Sequence, residues 1–157
     1  MSADGELRAA NERYAAGFRH GALPRAARRG VAVVTCMDAR IDPLALLGLE
    51  LGDANVLRNA GGLVTDDVLR SLAVSHAVLG TRQAIVVGHT DCGLHGATNE
   101  ELRVALGAAG GDFLPFADLG ESVRENVRRI ESFPLLPETF TALGYVYDVR
   151  SGRLRSL

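Results

Sequence analysis

Residues 33–43 read VVTCMDARIDP. They open as the end of a core strand. Val31–Thr35 is a short, continuous apolar and β-branched run, the kind buried on both faces of a parallel sheet. Cys36 then brings a thiol, and Asp38 and Arg40 set a carboxylate and a guanidinium at alternate positions behind it. Asp42 can cap a brief helix, Pro43 suits its first turn and Gly48 its stop. A core strand that ends in such groups points to a site at the carboxyl edge of a sheet, where open α/β folds bind their ligands.

Residues 83–93, QAIVVGHTDCG, repeat the pattern: an apolar strand runs straight into His89, Asp91 and Cys92. Between the two stretches lie a strand at ANVLRN (54–59), a turn at NAGG, and a helix over 65–80. Thr65 or Asp66 caps that helix, Val68, Leu69, Leu72, Ala73 and Leu79 form its apolar stripe, and Gly80 ends it. Further on, NEELRVALG reads as a short helix, residues 107–117 as a loop, and residues 118–132 as an amphipathic helix with Leu119, Val123, Val127 and Ile130 on one side. LGYVYDVRSGRL is a late strand and turn. Alternating strands and helices predict an α/β fold with a mainly parallel central sheet of about four to five strands flanked by helices. At the other end of the chain, Leu7, Ala10, Tyr14 and Phe18 recur at helical spacing and predict an N-terminal helical arm. The expected organisation is one domain over residues 1–157, with an arm at 1–24 and an α/β core at 25–157.

Composition narrows the chemistry. The chain has 157 residues and a net charge of −2, which argues against nucleic-acid and anionic-membrane partners, since both want a basic face. All 17 basic residues are Arg, so lysine Schiff bases and P-loop lysines are excluded. No apolar run reaches the ~18 residues of a membrane span. The opening MSADGELRAANERYAAGF lacks the apolar heart of a signal peptide, and the expected location is cytoplasmic. In a reducing compartment the two cysteines are better explained by metal binding, catalysis or plain burial than by a disulfide.

His89 and Cys92 are close enough in sequence to hold one metal ion, and Cys36 from a neighbouring strand end would complete a Cys2His set. Zn²⁺ accepts such a set, and a catalytic zinc site keeps a fourth position for water. Asp38 and Arg40 can be a structural ion pair or part of the site. Asp91 can cap the turn, the preferred reading, or support His89 or an arginine. Tyr14 and Phe18 read first as core residues.

The combination is more specific than its parts. C-x-D-x-R (Cys36, Asp38, Arg40), followed by H-x-x-C-G (His89, Cys92, Gly93), resembles the β-class carbonic anhydrases. RNAGG (58–62) and NERYAAGF (11–18) also resemble segments of that family, and the short chain resembles its compact bacterial and archaeal branch. The resemblance implies one Zn²⁺ per subunit, bound by Cys36, His89 and Cys92. It implies Asp38 and Arg40 as the catalytic pair, with Arg40 holding the carboxylate off the metal. Ala60, Gly61 and Gly62 are then expected to bind substrate, and His95 to shuttle protons or, more blandly, to sit in a loop. The implied reaction is zinc-dependent, reversible hydration of CO2 to bicarbonate and a proton. A homodimer or dimer of dimers is implied as well, with Tyr14 and Phe18 as alternative interface anchors. Rival readings are a carbonyl sulfide or carbon disulfide hydrolase on the same scaffold, and a non-catalytic zinc or bicarbonate module. The chain departs from the family in having no Trp and in placing Ala39 where Ser is frequent.

Overall fold

A computed structural model describes residues 2–157. Helix α1 spans Ala3–Ala16, β1 Val31–Cys36, α2 Pro43–Leu47 and β2 Ala54–Asn59. A 3₁₀ turn at Ala60–Gly62 leads to α3, Asp66–Leu79, and β3, Gln83–His89. The chain continues through α4 (Asn99–Leu106), α5 (Leu119–Glu131), β4 (Thr141–Tyr147) and β5 (Leu154–Ser156). The sheet has five strands in the order β2-β1-β3-β4-β5. The first four are parallel, and β5 returns antiparallel to β4. The expected α/β architecture is therefore present. The late strand and turn resolve into two paired strands, joined where Asp148 accepts from the Arg150 backbone and from the Ser151 hydroxyl.

The core forms where the apolar strands meet two helices. Ala32 and Val34 of β1, Ala84 and Val86 of β3, and Ala142 and Val146 of β4 pack with Val68, Leu69 and Leu72 of α3 and with Val123 and Ile130 of α5. Leu72 and Ile130 are fully buried. Each such side chain contributes roughly 1.5–3 kcal/mol relative to an exposed one. Gly88 allows α5 to sit tightly on β3, because a Cβ there would lie 2.6 Å from Val123 Cγ2. His89, the next residue, is the last of β3 and pairs with Tyr147 of β4.

The N-terminal arm corrects one expectation. Helix α1 is capped by Ser2 and buries no residue in its own chain. Tyr14 is 59% exposed and Leu7 71%, so the stripe is not part of this chain's core. Among the described residues no helix is long and apolar enough to cross a membrane.

Candidate metal centre

β1 and β3 are adjacent and parallel, so their carboxyl ends emerge side by side. Thr35 ties them together just below the edge, donating its hydroxyl to the Val87 carbonyl at 2.9 Å. β1 then delivers Cys36, and β3 delivers His89 and the turn that carries Cys92. The candidate ligand atoms of Cys36, His89 and Cys92 all lie within 4.8 Å of one another. All three residues are buried, and both thiols are free. Ile41, Leu46, Leu94, Phe116 and Tyr147 form an apolar surround with the two cysteines.

The chemistry of the donor set fits a soft divalent cation. His89 Nδ1 lies 2.9 Å from the Thr90 carbonyl, which can only accept, so Nδ1 carries the proton. Nε2 is thereby left as an acceptor, buried with no hydrogen-bond partner among the described residues. A buried, unmatched lone pair costs about 1–3 kcal/mol unless a ligand takes it up. Desolvation lowers the His89 pKa, which keeps the ring neutral and able to ligate. Burial, with Cys36 close by, pushes the Cys92 thiol up, an effect that a bound cation opposes by favouring the thiolate. Two thiolates and one imidazole are a zinc ligand set.

Asp38 stands beside this cluster without joining it. Arg40 donates from Nε to Oδ1 at 3.0 Å and from a terminal nitrogen to Oδ2 at 2.7 Å, and the Arg40 backbone donates to Oδ1 at 2.9 Å. Those bonds hold the Asp38 carboxyl well below the usual carboxylate range. Arg40 is itself oriented by Asp91. Its other terminal nitrogen donates to Asp91 Oδ2 at 2.8 Å, and the Asp91 carbonyl accepts a further bond at 3.0 Å. Asp91 has φ 57, in the left-handed region that Asp tolerates better than most residues. Asp91 is thus the support of an arginine, and the preferred turn-cap reading gives way.

The remaining candidates separate. Ala60 and Gly61 line a cavity of about 290 Å³ with Cys36, Met37, Asp38, Cys92, Gly93 and Leu94. Gly62 does not line it; its Cα packs on the backbone of Thr35 and Cys36, behind the ligand. His95 is exposed, its ring stacked on Phe116 and its Nε2 3.2 Å from the Ala117 carbonyl. Asn126 has no counterpart in the sequence reading. It is buried on α5 and accepts from the Val64 backbone at 2.7 Å, pinning the segment that follows the 3₁₀ turn. Its only sequence signal is a polar residue set within an apolar stripe.

The fold and the cluster together define an α/β protein shaped to hold one metal ion beside an acid–guanidinium pair. The family model for carbonic anhydrase matches residues 31–110. Beta-carbonic anhydrase 1 of Mycobacterium tuberculosis is 41% identical over 162 residues, spanning 100% of this chain and 99% of the relative. A solved carbonic anhydrase from Streptococcus mutans superposes with a TM-score of 0.90 at 46% identity, covering 99% of this chain and 98% of that one. The carbon disulfide hydrolase of Acidianus is more distant, 35% identical over 152 residues, with 78% of this chain and 74% of the relative covered. The chain belongs to the β-carbonic anhydrase family.

Proposed function

We propose that this chain hydrates carbon dioxide reversibly to bicarbonate and a proton, using one zinc ion per subunit held by Cys36, His89 and Cys92. Family membership supports the activity, and the ligand set is inferred from the geometry. The observation that carries the assignment is the convergence of two thiols on His89, whose Nε2 is a buried acceptor with no hydrogen-bond partner among the described residues. When bound, zinc supplies a Lewis acid that makes hydroxide available from water near neutral pH.

Each further role belongs to this chain's own residues. Arg40 occupies both oxygens of Asp38, which would otherwise compete as a fourth ligand. Held ionised, Asp38 is an acceptor only and can take a hydrogen bond from the attacking oxygen, fixing its orientation. Ala60, Gly61, Met37 and Leu94 offer a small, largely apolar wall suited to a linear, apolar substrate. For His95 the contacts favour the loop role, since the stacked ring braces the segment around Phe116 and Ala117.

The reading extends to a homodimer in which α1 reaches a second copy. A 14-residue helix that buries nothing at home is marginal by itself, and its exposed Leu7 and Tyr14 suit an interface. A cytoplasmic setting is supported by two thiols that stand unlinked.

Elemental analysis of the purified protein, with stopped-flow CO2 hydration between about pH 6 and 9 around the usual acidity of zinc-bound water, tests the proposal. Near-stoichiometric zinc and turnover are expected, with both lost in Cys92→Ser. Sulfide release from carbon disulfide or carbonyl sulfide without CO2 hydration would assign the chain to the hydrolase branch. Zinc binding without any turnover would leave a binding module.

A further inference from the structure

Arg58 lies outside the expected site residues, yet the structure ties it to the candidate metal centre through the backbone. It lies on β2, opposite Thr35 of β1, one residue before both strands end. The β1–β2 ladder closes at Cys36 and Asn59, with a last rung from the Met37 amide to the Asn59 carbonyl at 2.9 Å. Beyond that rung the chain from Cys36 to Asp38 leaves the sheet. No strand continues on the β2 side to hold it. Arg58 reaches over the end of the ladder instead. Its Nε donates to the Cys36 carbonyl at 2.9 Å, and a terminal nitrogen donates to the Asp38 carbonyl at 2.7 Å.

These two acceptors are the backbone oxygens of a candidate metal ligand and of the acid beside it. Two donors on one edge of a rigid guanidinium therefore set the spacing between the two residues whose relative position matters most. Among the described residues Arg58 forms no ion pair, unlike Arg40, Arg28 or Arg128. A guanidinium bonded to two main-chain carbonyls is placed for geometry, and a lysine would supply one point of attachment where the planar fork supplies two.

We propose that Arg58 is a positioning residue of the metal centre: it clasps Cys36 and Asp38 by their carbonyls and fixes the thiol relative to the carboxylate without touching substrate or metal. The proposal rests on the zinc-site reading above, so the parent protein is measured first. Zinc content and CO2 hydration in the parent decide that reading; the Arg58 variants are then compared with a parent that has both.

The test compares Arg58→Met, which keeps most of the stem and removes both donors, with Arg58→Lys, which restores a single donor. Three quantities are read in each: kcat and KM separately, the rate of zinc transfer to a coloured chelator, and the visible spectrum of the cobalt-substituted protein. Loss of a group that orients a metal ligand typically lowers metal affinity or activity about 10–100-fold. Arg58→Met is expected to fall in that range, mostly in kcat, with faster zinc transfer and an altered cobalt spectrum, and Arg58→Lys to lie between it and the parent. Where Arg58→Met does not fold, Arg58→Gln takes its place in the series. Variants that transfer zinc and turn over within about threefold of the parent, against the range typical of ligand-orienting groups, would overturn the inference. So would a lowered melting temperature accompanied by the parent's cobalt spectrum and zinc-transfer rate, because that combination describes a residue that only stabilises the fold.

Discussion

Gly62→Ala puts a single methyl behind the candidate metal centre. Gly62 has φ +64, and an added Cβ would lie 2.7 Å from the Cys36 backbone nitrogen and 2.8 Å from the Thr35 carbonyl carbon. Left-handed backbone costs an alanine about 1–2 kcal/mol. Overpacking adds about 1–3 kcal/mol, and here the opposing atoms are main chain in a central strand, which cannot swing aside as a side chain would. The expected loss is about 2–5 kcal/mol, or roughly 4–20 °C in melting temperature for a domain of this size. Because the clash falls on the amide of Cys36, relief by moving β1 displaces a ligand, so zinc transfer to a chelator should accelerate in the fraction that folds. Gly93→Ala is the control. It lines the cavity at the candidate site, where a Cβ meets nothing within 4 Å, and its stability should stay within about 0.5 kcal/mol of the parent. Urea unfolding of both variants, run beside the parent, measures the difference. A Gly62→Ala protein as stable as Gly93→Ala, with unaltered zinc transfer, would refute the reasoning that a bare backbone contact holds the ligand strand in place.

Three other outcomes follow from the same contacts. Arg40→Lys keeps the charge and loses the fork that spans both oxygens of Asp38 and reaches Asp91; kcat/KM for CO2 hydration should drop about 10–100-fold, and an unchanged value would show that charge alone suffices. Asp53 accepts from the Glu50 amide and pairs with Arg28, and these contacts hold its carboxyl below the ordinary value. A lowered carboxylate contributes stability above its unfolded pKa, near ~3.9, and loses it as pH falls through the folded value. The parent's margin over Asp53→Asn in melting temperature should therefore shrink on acidification from about pH 6 toward about pH 3, and a margin independent of pH would count against it. If α1 reaches a second copy as proposed, replacing Leu7 and Tyr14 together with Ser should convert that dimer to monomers in sedimentation while leaving the circular dichroism of the core unchanged, since neither side chain is buried within its own chain.

The sequence was most readable where local chemistry and periodicity agree. Asp42, Pro43 and Gly48 bracket α2 as expected, with Asp42 accepting from the Leu44 and Ala45 amides and Gly48 in the left-handed region. The apolar strands around Cys36 and His89 are legible because a strand buried on both faces needs no alternation. Their adjacency, which brings the three ligand candidates together, follows from the parallel pairing of β1 and β3; the chemistry of the two strand ends suggested it, and the family resemblance made it specific. Tyr14 misled because periodicity reports that a helix has an apolar face and says nothing of whose surface covers it. For a different reason, Asp91 was ranked wrongly between the two roles that the sequence offered, and Arg58 stood only within RNAGG, with no role attached. Their partners lie far away along the chain, and Arg58 acts through carbonyls, which every residue possesses and no motif can mark.

The end of β3 and the turn that follows it pack unusual responsibility into four residues, His89 to Cys92. His89 and Cys92 belong to the cluster, and Asp91 between them steadies Arg40 from the same short span. One residue inserted or deleted after His89 would shift Asp91 and Cys92 together relative to His89, which β3 holds in place. Variation in this chain should accordingly gather in the stretches that bear no such burden, the exposed α1 and the segment between α4 and α5, while the length of this turn stays constant.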